Sequence, residues 1–168
     1  MQYALLATFF ACGCDCGAEP PCFQGDPTLA EIQSQIFDRS CNKFESCHNS
    51  GAGVSVGGLD LCGPDSPGPF CDDDKTSVRD RLVDVPAGCT VGSRSCEDPA
   101  CVPEDADAGP PTFRVVPGDP NASYLYRRVS GEGLGDDCVR KMPYGATDGL
   151  CKEGVDAIRT WIENGALP

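Results

Sequence analysis

A small all-α domain with a disulfide-rich, irregular insertion is the fold class that the sequence predicts, and three observations carry the expectation. Near the two ends of the chain, apolar residues recur at helical intervals: Leu29, Ile32, Ile36 and Phe37, then Val155, Ile158, Trp161 and Ile162. The middle, at about 62–111, holds Cys62, Cys71, Cys89, Cys96 and Cys101 among repeated prolines and glycines and has little periodicity. Across 168 residues, 13 cysteines, 20 glycines and 15 prolines stand against 40% hydrophobic residues, a balance that requires covalent cross-links around a modest core.

Residues 1–12 read as an export signal. The stretch 4–11 is apolar, too short to span a bilayer, and stops at Cys12. Phe9-Phe10-Ala11-Cys12 sets a small residue before a cysteine, as a bacterial lipobox does, so Cys12 is the expected lipidation site. The large Phe9 and the lack of a Lys/Arg leader keep plain secretion and an uncleaved terminus open as alternatives. Lipidation of Cys12 leaves 13 less one, or 12, other cysteines, an even number suited to pairing. The expected location is the periplasm or the outer membrane of a Gram-negative bacterium, with membrane contact through the lipid anchor only. Residues 13–27 carry no periodicity and read as a linker, which leaves 28–168 as the domain.

Within that domain, Thr28 and Glu31 have capping-box spacing and begin a helix that ends near Ser40-Cys41. The glycine-rich stretch 51–61 follows, with Leu59 and Leu61 as its inward anchors. In the insertion only 77–85 can pack, as a short helix through Val78, Leu82 and Val83, and the rest is expected to face solvent. Phe113, Val115 and Val116 lead into the turn Pro117-Gly118-Asp119-Pro120, and 123–129 reads as a helix with Asp119 or Asn121 near its start. Gly131, Gly133 and Gly135 form a loop whose spacing is not the dinucleotide fingerprint. The last helix runs from about Lys152 to Asn164, is stopped by Gly165 and places Trp161 in the core. Export implies oxidised cysteines, with Cys62–Cys71 and Cys138–Cys151 as the expected pairs, the second bracing the loop around Met142.

Charge and composition exclude several functions. Thirteen Lys and Arg against 26 Asp and Glu leave a net charge of −13 with no basic stripe, so nucleic acid is not an expected partner. His48 has no Ser or Cys nucleophile motif around it, and no enzyme is expected. Paired Cys-x-x-Cys knuckles for zinc are absent, and Asp105, Asp107 and Gly109 lack the further ligands of a calcium loop.

What remains is a pairing of rarities. The one histidine, His48, directly follows Cys47, and the one methionine beyond the initiator, Met142, stands in Arg140-Lys141-Met142-Pro143. These residues match the parts of a c-type haem site: a cysteine thioether anchor, an imidazole on one side of the iron and a thioether sulfur on the other. The expected cofactor is one haem c at Cys47 and His48, with Met142 as distal ligand and Cys41 as candidate second anchor. Five residues separate Cys41 from Cys47, where the usual attachment motif has two, so a regular helix turns the first sulfur away from the second. A bulged loop is therefore required. Three outcomes stay open: Cys41 reaches a haem vinyl through that loop, Cys47 attaches alone, or the two cysteines form a disulfide and no covalent haem exists.

In order, the segment 28–61 with Cys47-His48 and Gly57-Gly58-Leu59-Asp60-Leu61, then Val116-Pro117-Gly118-Asp119-Pro120 with Ser123-Tyr124-Leu125, then Met142-Pro143, and finally Ile158-Arg159, Trp161-Ile162 and Gly165-Ala166 resemble the planctomycete and myxobacterial cytochrome c-like domains. The likeness covers about half of the chain and leaves 62–111 outside. It implies a small class I cytochrome c-like fold in which the first and last helices cross beside a haem, with His48 as proximal ligand, Met142 as distal ligand and Cys47 as attachment. The function implied is a periplasmic or surface electron carrier that meets a redox partner protein. The alternative is a haem-free, disulfide-rich surface lipoprotein acting as a binding or structural module. A redox enzyme with an open iron, reached if Met142 swings away, is a third reading.

Overall fold

The computed structural model describes residues 23–42, 48–49, 59–66, 71, 77–87, 112–134, 141–143, 146 and 148–168. Four α-helices and one π-helical segment dominate these residues, and the extended pieces among them form isolated bridges only.

Helix α1 spans Leu29–Ile32. Thr28 caps it by accepting the Glu31 N–H at 3.3 Å, one half of the expected capping box. The other half is not made, because the Glu31 carboxylate accepts instead from Gln35 at 2.7 Å. From Gln33 to Cys41 the helix continues in π geometry, with Asn42 N–H reaching back five residues to Phe37 O at 2.9 Å. Ile32, Ile36 and Phe37 are buried and enter the core together. The helix ends at Cys41, where the sequence places it.

Helix α4, Lys152–Glu163, is the element on which the others pack: α1 and α3 both contact it. Of its predicted stripe, Ile158, Trp161 and Ile162 are buried and Val155 is half-buried against the core, with Ala157 buried beside them, and each large buried side chain contributes roughly 1.5–3 kcal/mol by leaving water. Gly165, at φ +91°, turns the chain back after the helix. Ala166 N–H then bonds Trp161 O at 2.9 Å, and the Trp161 indole N–H donates to Leu167 O at 2.8 Å.

Helix α3, Tyr124–Ser130, begins after Ser123, and Gly131 at φ +83° ends it. Ser123 has no solvent exposure, and its hydroxyl does not cap the helix. Instead it accepts from Val116 N–H at 2.8 Å and donates to Asp119 O at 2.7 Å, which closes the Pro117–Pro120 turn on itself. Asp119 lies outside the helix and accepts the Ala122 N–H at 3.0 Å.

The insertion is tied into this frame. Helix α2, Val78–Leu82, has Ser77 as its N-cap, and Val78 and Leu82 are buried with α1 and α4 residues in one cluster. Cys62 is also fully buried, and its bridge to Cys71 is formed as expected. After α2 the chain runs beside 112–116: Val115 N–H bonds Leu82 O at 3.1 Å, Asp84 N–H bonds Val115 O at 3.0 Å and Ala87 N–H bonds Thr112 O at 2.8 Å. The second expected pair is not made, because Cys151 carries a free thiol, and Cys138 lies outside the described residues. Cys151 instead takes the N-cap position of α4, where its carbonyl accepts the Val155 N–H at 3.0 Å. No helix among the described residues is long and apolar enough to cross a membrane.

Candidate functional site

The site is built from the end of the first helix outward. At Cys41 the π-helical segment stops, and the chain returns to that point at His48, whose N–H donates to Cys41 O at 2.9 Å. A backbone hydrogen bond thus holds His48 beside the helix end at Cys41. Cys47 lies outside the described residues, as do Cys12 and the export and lipobox segment. Cys41 is half-buried and packs against the core.

His48 is half-buried and held on two sides. Its carbonyl accepts the Leu61 N–H at 2.9 Å, and its Nδ1 lies 3.3 Å from Leu59 O. A carbonyl can only accept, so that contact requires the proton on Nδ1 and leaves Nε2 as the lone-pair nitrogen of the neutral ring. This is the tautomer that a ligating histidine with a backbone partner adopts.

The strand of chain that supplies these partners, 59–62, is fixed by polar groups from the first helix. Leu61 O accepts from Gln33 Nε2 at 2.8 Å and from Asn42 Nδ2 at 3.2 Å. Asp38 Oδ1 gathers Gln33 Nε2 at 2.6 Å, Asn42 Nδ2 at 2.9 Å and the Ser66 hydroxyl at 2.6 Å. Asn42 and Asn49 are buried, and Asn49 Nδ2 reaches Asn42 O at 3.3 Å. On the far side, Asp60 pairs with Arg81 of α2 at 2.8 Å. Buried polar groups require such partners, and here they knit the histidine-bearing turn to two helices.

Met142 is half-buried, packs against the core, and bonds through its N–H to Arg128 O of α3 at 2.8 Å. The Met142–Pro143 peptide is cis. The candidate ligands therefore rest on separate supports: His48 on the end of the first helix and 59–61, Met142 on the end of α3. Among the described residues no three His, Cys, Asp or Glu side chains converge as a metal-binding group.

The glycine loop after α3 is described for residues 131–134. The recess beside it is lined by Asn121, Tyr126, Arg127, Glu132 and Gly133, and the Glu132 carboxylate accepts from the Tyr126 hydroxyl at 3.4 Å. Burial first, and Glu132 second, push the Tyr126 hydroxyl above its ordinary value.

Gln33, Asp38, Asn42, Asp60 and Arg81 were not singled out by sequence. Helical spacing carries no signal for them, because polar residues on a helix ordinarily face solvent; Asn42, just past the helix end, was the one with a readable position. The chain matches no family model, no curated protein and no solved structure.

Proposed function

We propose that this protein is an exported, lipid-anchored carrier of single electrons with one c-type haem, attached at Cys47 and ligated by His48 and Met142. The observation that supports the reading is the contact of His48 Nδ1 with Leu59 O, which holds the ring by one edge and suits ligation through Nε2. The donor set fits the group: one imidazole in the ligating tautomer and one thioether sulfur on an apolar support. Bound there, the haem would supply a reversible one-electron iron centre in low-dielectric surroundings. The chain's own part is to orient His48 through Cys41, Leu59 and Leu61 and to hold Met142 against the core through Arg128. The closed base of the Cys41 to His48 loop supports the attachment in spite of the five-residue cysteine spacing. The small all-α class I cytochrome c-like fold belongs to the same proposal, supported by the packing of α1 on α4.

A second reading, a haem-free disulfide-rich surface module, is favoured by the Cys62–Cys71 bridge, since the loop base that serves attachment equally suits a Cys41–Cys47 disulfide. Expression in cells with a c-type haem attachment system separates the two. The carrier reading expects a coloured protein with the sharp reduced bands of low-spin haem. His48→Ala abolishes stable incorporation, and Met142→Ala retains haem that is partly high-spin with a lower reduction potential. Cys47→Ser prevents covalent attachment, and Cys41→Ser reports whether Cys47 suffices. A colourless wild-type product with a Cys41–Cys47 bridge on peptide mapping overturns the carrier reading in favour of the module.

A further inference from the structure

We infer that Arg81 and Asp60 are positioning residues for His48, so that the insertion carrying Arg81 acts as a brace for the imidazole. Arg81 lies on α2, outside the sequence likeness, yet its guanidinium spans the chain segment that holds the histidine. Nη1 donates to Asp60 Oδ2 at 2.8 Å, and Nη2 donates to the Cys62 carbonyl. The other oxygen of Asp60, Oδ1, accepts the Cys62 N–H at 2.8 Å. One fork thus locks three consecutive residues, 60–62, in a single geometry. The residues on either side of Asp60 both touch His48: Leu59 through its carbonyl to Nδ1, and Leu61 through its N–H to the His48 carbonyl. Both charged side chains are only 15% exposed, so water replaces their mutual contacts poorly. Arg81 is itself fixed, because α2 is anchored by buried Val78 and Leu82 and the Arg81 carbonyl accepts from Arg114 Nη1 at 2.7 Å. The Cys62–Cys71 disulfide fastens the far end of the same segment. A solvated surface ion pair would have no such route to the imidazole, whereas here a single peptide unit separates the pair from each His48 contact.

The ligating role of His48 rests on the function proposed above, but the positioning of its ring does not, and the test reads the ring directly. His48 is the one histidine, so nitrogen-15 labelling of histidine yields a single pair of ring signals. The wild-type ring is expected in the Nδ1-protonated form. Arg81→Gln removes the fork, and the amide hydrogen exchange of His48 and Leu61 is expected to accelerate about tenfold, with the ring drifting towards the tautomer mixture of an unconstrained imidazole. If the protein carries haem, the Nδ1 proton is read instead by its exchange with solvent, which rises by a similar factor of about ten. Arg81→Lys keeps the charge without the fork and is expected to fall between wild type and Arg81→Gln. The Trp161 indole N–H, bonded to Leu167 O on the far end of α4, serves as the control and stays unchanged. Unchanged His48 and Leu61 amides and ring signals in Arg81→Gln overturn the inference. So does equal acceleration at Trp161, which makes Arg81 a general stabiliser. Colour plays no part in this outcome: a colourless protein with a mobile His48 in Arg81→Gln retains the brace and loses the haem reading, and a coloured one with an unmoved ring does the reverse.

Discussion

Replacing Leu82 by alanine measures whether the insertion is structural core or a stapled appendage. Leu82 has no solvent exposure and belongs to the same cluster as Ile32, Ile158 and Trp161. The substitution deletes three carbons, and at about 0.8 kcal/mol for each buried methylene the transfer loss alone is roughly 2.4 kcal/mol. The cavity left behind adds to this, and buried leucine truncations as a class cost about 2–5 kcal/mol, so we expect a loss of about 3 kcal/mol. Alanine keeps the Leu82 carbonyl that accepts the Val115 N–H at 3.1 Å and is a good helix former, so the loss reports side-chain packing. The assay is a denaturant titration of the oxidised protein followed by the fluorescence of Trp161, the single tryptophan, which is 2% exposed. A lower midpoint at unchanged slope is expected. A change within about 0.5 kcal/mol, the range of an ordinary surface substitution, refutes the assignment of α2 to the core.

Ser123→Ala should cost about 1–3 kcal/mol by the same titration, because it removes the fully buried hydroxyl that serves the half-buried Val116 N–H and opens the turn that Asp119 O helps to close; a neutral result refutes that role. In an ultraviolet pH titration, the ionisation removed by Tyr126→Phe should lie above the ordinary tyrosine value, owing first to burial and then to Glu132, and Glu132→Gln should bring it down. Because the folded state holds this proton more tightly than the unfolded chain, its stabilising contribution is complete below the ordinary value of 10.0 and is lost as pH rises through the higher folded value. A Tyr126 ionisation at the ordinary value, or one that Glu132→Gln leaves in place, refutes the assignment.

Helix positions were legible because each depends on local spacing. The cap at Thr28, the end at Cys41, the stripe through Ile158 and Trp161, and the reversal at Gly165 follow from which residues can face inward and which backbone groups need partners within a few positions. The Cys62–Cys71 pair was legible for a similar reason, since a separation of nine in an irregular stretch lets the two ends meet. The rarity of His48 and Met142 likewise marked them as candidates before any fold was known.

Tertiary structure decided what local spacing cannot express. That Gln33, Asp38 and Asn42 turn inward depends on a carbonyl at Leu61, distant in sequence, which satisfies them on arrival. The free thiol of Cys151 at the start of α4 was equally hidden, because pairing depends on where two sulfurs come to lie and not on their count. The contact of His48 Nδ1 with the Leu59 carbonyl had no signature either, since any residue at position 59 supplies the same oxygen. Sequence by itself determined which segments bury a face and which residues carry unusual chemistry, because side-chain type and spacing are local properties. Only the tertiary structure decided that Arg81 of the insertion meets Asp60 beside the histidine, because that contact exists only once α2 has packed its leucine into the core formed by α1 and α4.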